Sequence, residues 1–223
     1  MDNKIFEDVD NYISNLLGKE DKALKDATHL IDLNEIPNAS ISPNQGKFLQ
    51  VLALMCNAKR VLELGTLGAY STIWLANALP ENGKVISIEF DPFHYDIAKK
   101  NIENACLSSK VELRLGKALD ILPELEKEQK EPFDMIFIDA DKPPYTEYVQ
   151  WAIKLGRPGS VIVADNVVRN GKILEPNSTD EKVQGVQRLN KMLENCPEVT
   201  ATILQTVGVK EHDGMVVAVI NRK

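Results

Sequence analysis

From residue 60 onward, short β-branched or apolar runs alternate with amphipathic stretches. This alternation restricts the fold more than any other feature of the chain. The runs are RVLELG at 60–65, KVISIEF at 84–90, KVELRLG at 110–116, FDMIFIDA at 133–140 and SVIVADN at 160–166. Between them, apolar spacing predicts helices over roughly 70–79, 92–105, 118–128 and 144–155. Strands separated by helical stretches of this length form right-handed βαβ units around a parallel sheet. Runs such as MIFI and VIVA are apolar on both faces, as expected of a sheet covered on both sides. Past residue 166 the pattern changes. A polar stretch at 167–182 is predicted to be an exposed loop, and a helix follows at about 181–195. VTATILQT (199–206) and GMVVAVINR (214–222) are then strands whose connection is too short for a crossover, so they must pair antiparallel. The expectation is seven strands, one of them reversed on the edge side.

Two amphipathic segments precede this region. Ile5, Val9, Ile13, Leu16 and Leu17 recur at helical spacing over 5–17, and Leu24, Ala27, Leu30 and Ile31 form a thinner stripe over 21–35. Two prolines break the pattern before a helix starting at Pro43, with Ser42 as its N-cap. The chain therefore divides into an N-terminal helical extension, residues 1–42, and a main domain, residues 43–223.

Composition excludes several function classes. In 223 residues, 43% are hydrophobic and 26% charged, which is ordinary globular usage and argues against disorder or coiled coil. A net charge of −7 and a pI near 5.1 argue against a nucleic-acid partner. No run approaches the roughly 20 apolar residues of a membrane span, and the acidic N-terminus has no signal-peptide core, so no membrane partner is expected. Cys56, Cys106 and Cys196 are scattered and odd in number, which fits a reducing cytoplasm better than a zinc site or a disulfide framework. Trp74 and Trp151 sit at helical spacing with apolar neighbours and are expected in the core, while His29, His94 and His212 are solitary.

Four motifs fall at the carboxyl ends of the parallel strands, where open α/β sheets bind ligands. The first is Glu63-Leu-Gly65-Thr66-Leu-Gly68-Ala69-Tyr70-Ser71. Its glycine spacing differs from the G-x-G-x-x-G of dinucleotide folds. An acidic residue two positions before the first glycine suits a cationic or amine-bearing ligand better than a pyrophosphate; the plainer alternative is a tight strand-to-helix connection. The second is Glu89, which ends the second strand. A carboxylate there accepts both ribose hydroxyls of a nucleoside or compensates a helix N-terminus. Beside Glu63 and Gly65, the nucleoside reading is the better one. The third and fourth motifs are Asp139-Ala-Asp141-Lys142 and Asp165-Asn166. With strands four and five expected as neighbours, Asp139, Asp165 and Asn166 converge. Two carboxylates and an amide oxygen form a hard donor set suited to Mg²⁺, Mn²⁺ or Ca²⁺. Unneutralised, two carboxylates about 4 Å apart repel by about 4 kcal/mol at an effective dielectric near 20. Asp also caps helices after strands, but two such pairs at adjacent strand ends favour the metal. Lys142 is either a general base beside a divalent cation or an ion-pair partner of Asp139 or Asp141; spacing leaves both open.

Taken together, these residues resemble the class I S-adenosylmethionine-dependent methyltransferases. More narrowly, they resemble the cation-dependent O-methyltransferase family that includes caffeoyl-CoA and catechol O-methyltransferases, over about residues 36–223. The resemblance implies a Rossmann-like α/β fold: a seven-stranded, mostly parallel sheet of order 3-2-1-4-5-7-6, strand seven antiparallel, with helices on both faces. It implies S-adenosyl-L-methionine as cofactor, with the methionine end held by Glu63, Gly65, Thr66 and Ser71. Glu89 would take the ribose, where many relatives carry Asp. Ala118 would lie beside the adenine, and Asp141 would meet the cofactor's amino group. The segment around Ile41, part of the 1–42 extension, would close over the cofactor through a backbone contact. Asp139, Asp165 and Asn166 would bind a divalent cation, with Mg²⁺ first and Mn²⁺ or Ca²⁺ as alternatives. Lys142 would be the catalytic base, and Asp139 would serve the cofactor, metal and catalytic sets alike. The implied reaction is methyl transfer to a hydroxyl of a vicinal-diol, catechol-type phenolic small molecule, carried out by a homodimer. One departure concerns the acceptor: plant relatives place an aromatic residue where this chain has Arg169, which counts against a coenzyme A thioester. The competing functions are methylation of a hydroxyuridine in tRNA, a non-catalytic nucleoside-binding module, and nicotinamide-dependent oxidoreduction, the last disfavoured by the missing G-x-G-x-x-G.

Overall fold

The computed structural model describes residues 3–37, 39–128 and 131–222. Three helices come first: α1 (Asn3–Leu16), α2 (Lys22–Leu33) and α3 (Pro43–Met55). The alternating region follows as β1 (Arg60–Leu64), α4 (Tyr70–Ala78), β2 (Lys84–Glu89), α5 (Pro92–Asn104), β3 (Val111–Leu115), α6 (Ala118–Glu128), β4 (Phe133–Ile138), α7 (Tyr145–Leu155) and β5 (Gly156–Asp165). A 3-10 turn (Arg169–Leu174), α8 (Glu181–Glu194), β6 (Val199–Thr206) and β7 (Asp213–Ile220) complete the chain. Among the described residues, no helix is long and apolar enough to cross a membrane.

The sheet order is β3-β2-β1-β4-β5-β7-β6. All pairs from β3 to β5 are parallel, and β7 runs antiparallel to both β5 and β6. The fold is therefore the Rossmann-like α/β arrangement expected, with its one reversed strand beside the edge. Strand periodicity of two explains why both faces are apolar. Leu62, Leu64, Ile86, Ile136, Ile138 and Ile162 point to one side and pack with α6, α7 and α8. Val61, Val85, Met135, Phe137 and Val163 point to the other and pack with α2, α3, α4 and α5. Trp74 is buried in the second of these clusters, whereas Trp151 is half-buried against the first.

Local signals hold where their partners are local. Ser42 caps α3 by accepting the Gln45 N–H, while the Gln45 side chain accepts the Ser42 N–H, a reciprocal capping box ahead of Pro43. Two expectations are revised. β5 begins at Gly156, immediately after α7, and not at Ser160. Ser160 Oγ accepts the Arg157 N–H and donates to the Phe133 carbonyl, and Arg157 pairs with Asp134; these bonds extend the strand across a register shift in β4. The stretch after Asn166 is not wholly exposed. Val167 and Val168 are buried, and Asp213 holds the Val168 and Arg169 N–H groups at 2.9 and 3.0 Å before the 3-10 turn. Both revisions come from bonds to residues more than 20 positions away, which local pattern does not encode.

Candidate active site

The carboxyl ends of β1, β2, β4 and β5 lie side by side, so motifs far apart in the chain meet above the sheet. β1 ends in the glycine turn. Gly65 has φ +93°, and a Cβ there would overlap the Asp139 carbonyl oxygen, so only glycine lets β1 and β4 approach this closely at their ends. Glu63, one residue before the end of β1, is fully buried. Its carboxylate accepts the hydroxyls of Ser71 (2.6 Å), Thr72 (2.5 Å) and Ser87 (2.6 Å), and Thr66 Oγ1 lies 2.6 Å from Ser87 Oγ. Burial pushes the Glu63 carboxyl up to about 7, against the pull of these three donors.

Glu89 ends β2. Each of its oxygens receives two main-chain N–H groups: Thr66 and Leu67 on Oε2, Phe90 and Asp91 on Oε1. Its carboxylate therefore orders the glycine turn and the start of α5 together. The main-chain amides it accepts after β2 fit the reading of Glu89 as a charge at the start of a helix. Ala118 opens α6 and is buried, and Ile41 is buried against the helices of the second face.

β4 and β5 are paired up to Ile138 and Ala164, so Asp139 and Asp165 follow one step beyond the same register position. Asp165 is buried and accepts the Asn166 N–H at 2.7 Å. Burial, reinforced by the charge of Asp139, pushes its carboxyl up to about 8. Asn166 adopts φ +59°, a left-handed conformation that Asn tolerates better than most residues. Among the described residues, no group of three or more His, Cys, Asp or Glu side chains is arranged for a metal; the set here has two carboxylates and one amide. A buried carboxylate beside a second one is the environment a hard cation relieves.

Lys142 makes the ion pair that spacing allowed, and makes it with Asp139. Its Nζ lies 3.0 Å from Asp139 Oδ1 and donates to Tyr145 Oη at 2.6 Å, whereas Asp141 accepts the Tyr148 hydroxyl at 2.6 Å. The lysine therefore pairs with Asp139, is itself buried, and sits between the two strand ends. Tyr145, which helical spacing marks only as an apolar position, is fully buried beneath it; the sole sequence signal was its place three residues after Lys142. A cavity of about 250 Å³ has walls that include Ser42, Phe48, Leu204, Lys210 and Met215. Asp139, Lys142, Asp165 and Asn166 do not line it; Met215 is the β7 partner of Asp165, and Ser42 follows Ile41.

A family model described as O-methyltransferase matches residues 14–220. A protein named catechol O-methyltransferase from Niastella koreensis is 61% identical over 220 residues, covering 99% of this chain and 100% of that protein. Another of the same name from Mycobacterium tuberculosis is 44% identical over 213 residues, covering 96% and 95%. The solved structure of an O-methyltransferase from Bacillus cereus in complex with SAH superposes with a TM-score of 0.95 at 46% identity, covering 98% of this chain and 100% of that one.

Proposed function

The chain belongs to the O-methyltransferase family, and from that premise we propose that it transfers the methyl group of S-adenosylmethionine to a hydroxyl of a catechol-type phenolic, with a divalent cation at Asp139, Asp165 and Asn166. The observation that carries this reading is the convergence of Asp139, Lys142 and Asp165 at adjacent strand ends. Relatives named catechol O-methyltransferase at 61% and 44% identity support the acceptor class. The SAH-bound relative supports the donor.

Asp139, Asp165 and Asn166 fit the cation because they are all oxygen donors and because the buried Asp165 carboxylate lies beside a second carboxylate. A divalent cation bound there supplies positive charge that favours the ionised acceptor hydroxyl. The chain's own groups do the rest. Glu63, Gly65, Thr66 and Ser71 would hold the methionine end, Glu89 and Ala118 would hold the nucleoside, and Asp141 would take the amino group. Ile41 and its neighbours close the site, keeping water from the sulfonium. Lys142 accepts the acceptor's hydroxyl proton. The acceptor oxygen then forms its bond to the methyl carbon as the carbon–sulfur bond breaks, and the electron pair leaves on sulfur as a neutral thioether.

The enzyme acts as a homodimer in this reading. Ile5, Val9, Tyr12 and Leu16 leave an apolar face of α1 exposed, and a second copy of the chain covers it.

The test is methyl transfer from labelled donor to a panel of vicinal diols, set beside mono-phenols and bulk RNA, with magnesium and after metal removal. Transfer confined to vicinal diols and lost on metal removal is expected. Transfer to RNA alone, or full turnover without metal, overturns the reading.

A further inference from the structure

We propose that Tyr145 is a positioning residue for the methyl transfer, holding the Lys142 amine so that a single position on its nitrogen is left for the acceptor hydroxyl; this rests on Lys142 being the base. The argument is geometric. Nζ is tetrahedral, and one position belongs to its own Cε. Asp139 Oδ1 takes a second at 3.0 Å, and Tyr145 Oη takes a third at 2.6 Å. One position remains.

Tyr145 is suited to this task because its own proton is committed elsewhere. The hydroxyl donates to the main-chain carbonyl of Asp165 at 3.0 Å, with the Ile138 carbonyl at 3.3 Å. A carbonyl only accepts, so the phenol meets Lys142 with its oxygen lone pair and does not turn its proton toward the nitrogen. Both carbonyls belong to β4 and β5, the strands that carry Asp139 and Asp165. The direction of the amine is thus referred to the same backbone that sets the two carboxylates. The ring is fully buried in the first-face core and lies 4.7 Å from Nζ at its centroid, so it is fixed by packing. Tyr148 completes the arrangement by engaging Asp141, which removes a second carboxylate that could turn the lysine away.

The experiment measures kcat and KM for Tyr145→Phe, Lys142→Ala and the double variant, with magnesium and donor saturating. Lys142→Ala should lower kcat by about 10²–10⁴, the usual share of a general base. Tyr145→Phe should lower kcat about tenfold, with KM for donor and acceptor unchanged, and should add nothing in the Lys142→Ala background, because two residues acting as one unit are non-additive. Wild-type kcat in Tyr145→Phe, or the same tenfold loss in the double variant, overturns the proposal while leaving the base assignment intact. Full activity in Lys142→Ala overturns both. Should Tyr145→Phe not fold, the wild-type protein labelled at lysine Cε gives the answer by NMR. The Lys142 signal, assigned by its loss in Lys142→Ala, should report a restrained terminal amine. Free rotation like that of the exposed Lys19 overturns the proposal.

Discussion

The Glu63 carboxylate accepts the Ser71 hydroxyl at 2.6 Å, tying the end of β1 to the first turn of α4 across the glycine turn. This carboxylate is also the most deeply buried acid of the site, and its environment has a measurable pH signature. Its folded pKa is about 7, against 4.5 for the free group. Between these values the folded protein holds a proton that the unfolded chain has released. Stability from this group is therefore full below about 4.5 and is lost as pH rises through about 7, by on the order of 3 kcal/mol. Urea denaturation at pH 5 and pH 8 should show a decrement in both proteins, because Asp165 is raised as well, with the decrement in Glu63→Gln smaller than the wild type's by about the Glu63 contribution. Equal pH dependence in both proteins contradicts the burial argument.

Metal binding should be visible without turnover. A ligand that binds only the folded state at about 100 times its Kd stabilises by about 2.7 kcal/mol. Added magnesium should therefore raise the Tm of the wild type by several degrees and leave Asp165→Ala unmoved. An equal shift in both would place the ion elsewhere.

Gly68 leaves room for Ile31 of α2: a Cβ at Gly68 would overlap the Ile31 side chain. Asn101 supports the same junction by donating to the Gly68 carbonyl at 2.9 Å. Gly68→Ala should destabilise by about 1–3 kcal/mol through overpacking. In an Ile31→Ala background the Gly68→Ala penalty should be much smaller than in the wild type, and additive effects would show the contact to be unimportant.

At the opposite end of the sheet, Asp134 accepts the Lys59 and Arg60 N–H groups at 2.8 and 3.0 Å and the Arg157 guanidinium at 2.6 Å. These donors hold its carboxyl below the usual range despite burial. Asp134→Ala strands them and should lower stability by about 2–4 kcal/mol. Because the site lies at the other strand ends, kcat at a temperature where the variant is folded should match the wild type.

Much of the architecture was legible because its causes are local. The short apolar runs at 84–90 and 133–138, the helical spacing between strands, the Ser42-Pro43 cap and the acidic or glycine residues closing β1, β2, β4 and β5 depend on neighbours a few positions away. The start of β5 is not legible in the sequence for the opposite reason: it depends on Ser160 reaching Phe133 and Arg157 reaching Asp134. The buried Val167 and Val168 likewise owe their place to β7, through Asp213 and Gly214.

The amino-acid order alone determined the class of fold, the number of strands and the residues presented at their carboxyl ends, because backbone periodicity and turn chemistry act over one or two turns of chain. It left open whether Lys142 faced Asp139 or Asp141, and it gave Tyr145 no role. Those choices were made by tertiary structure. The hydroxyl that receives Lys142 is held by a carbonyl 20 residues further on, and Tyr148 takes the rival carboxylate, so the outcome depends on distances that exist only once β4, β5 and α7 have packed.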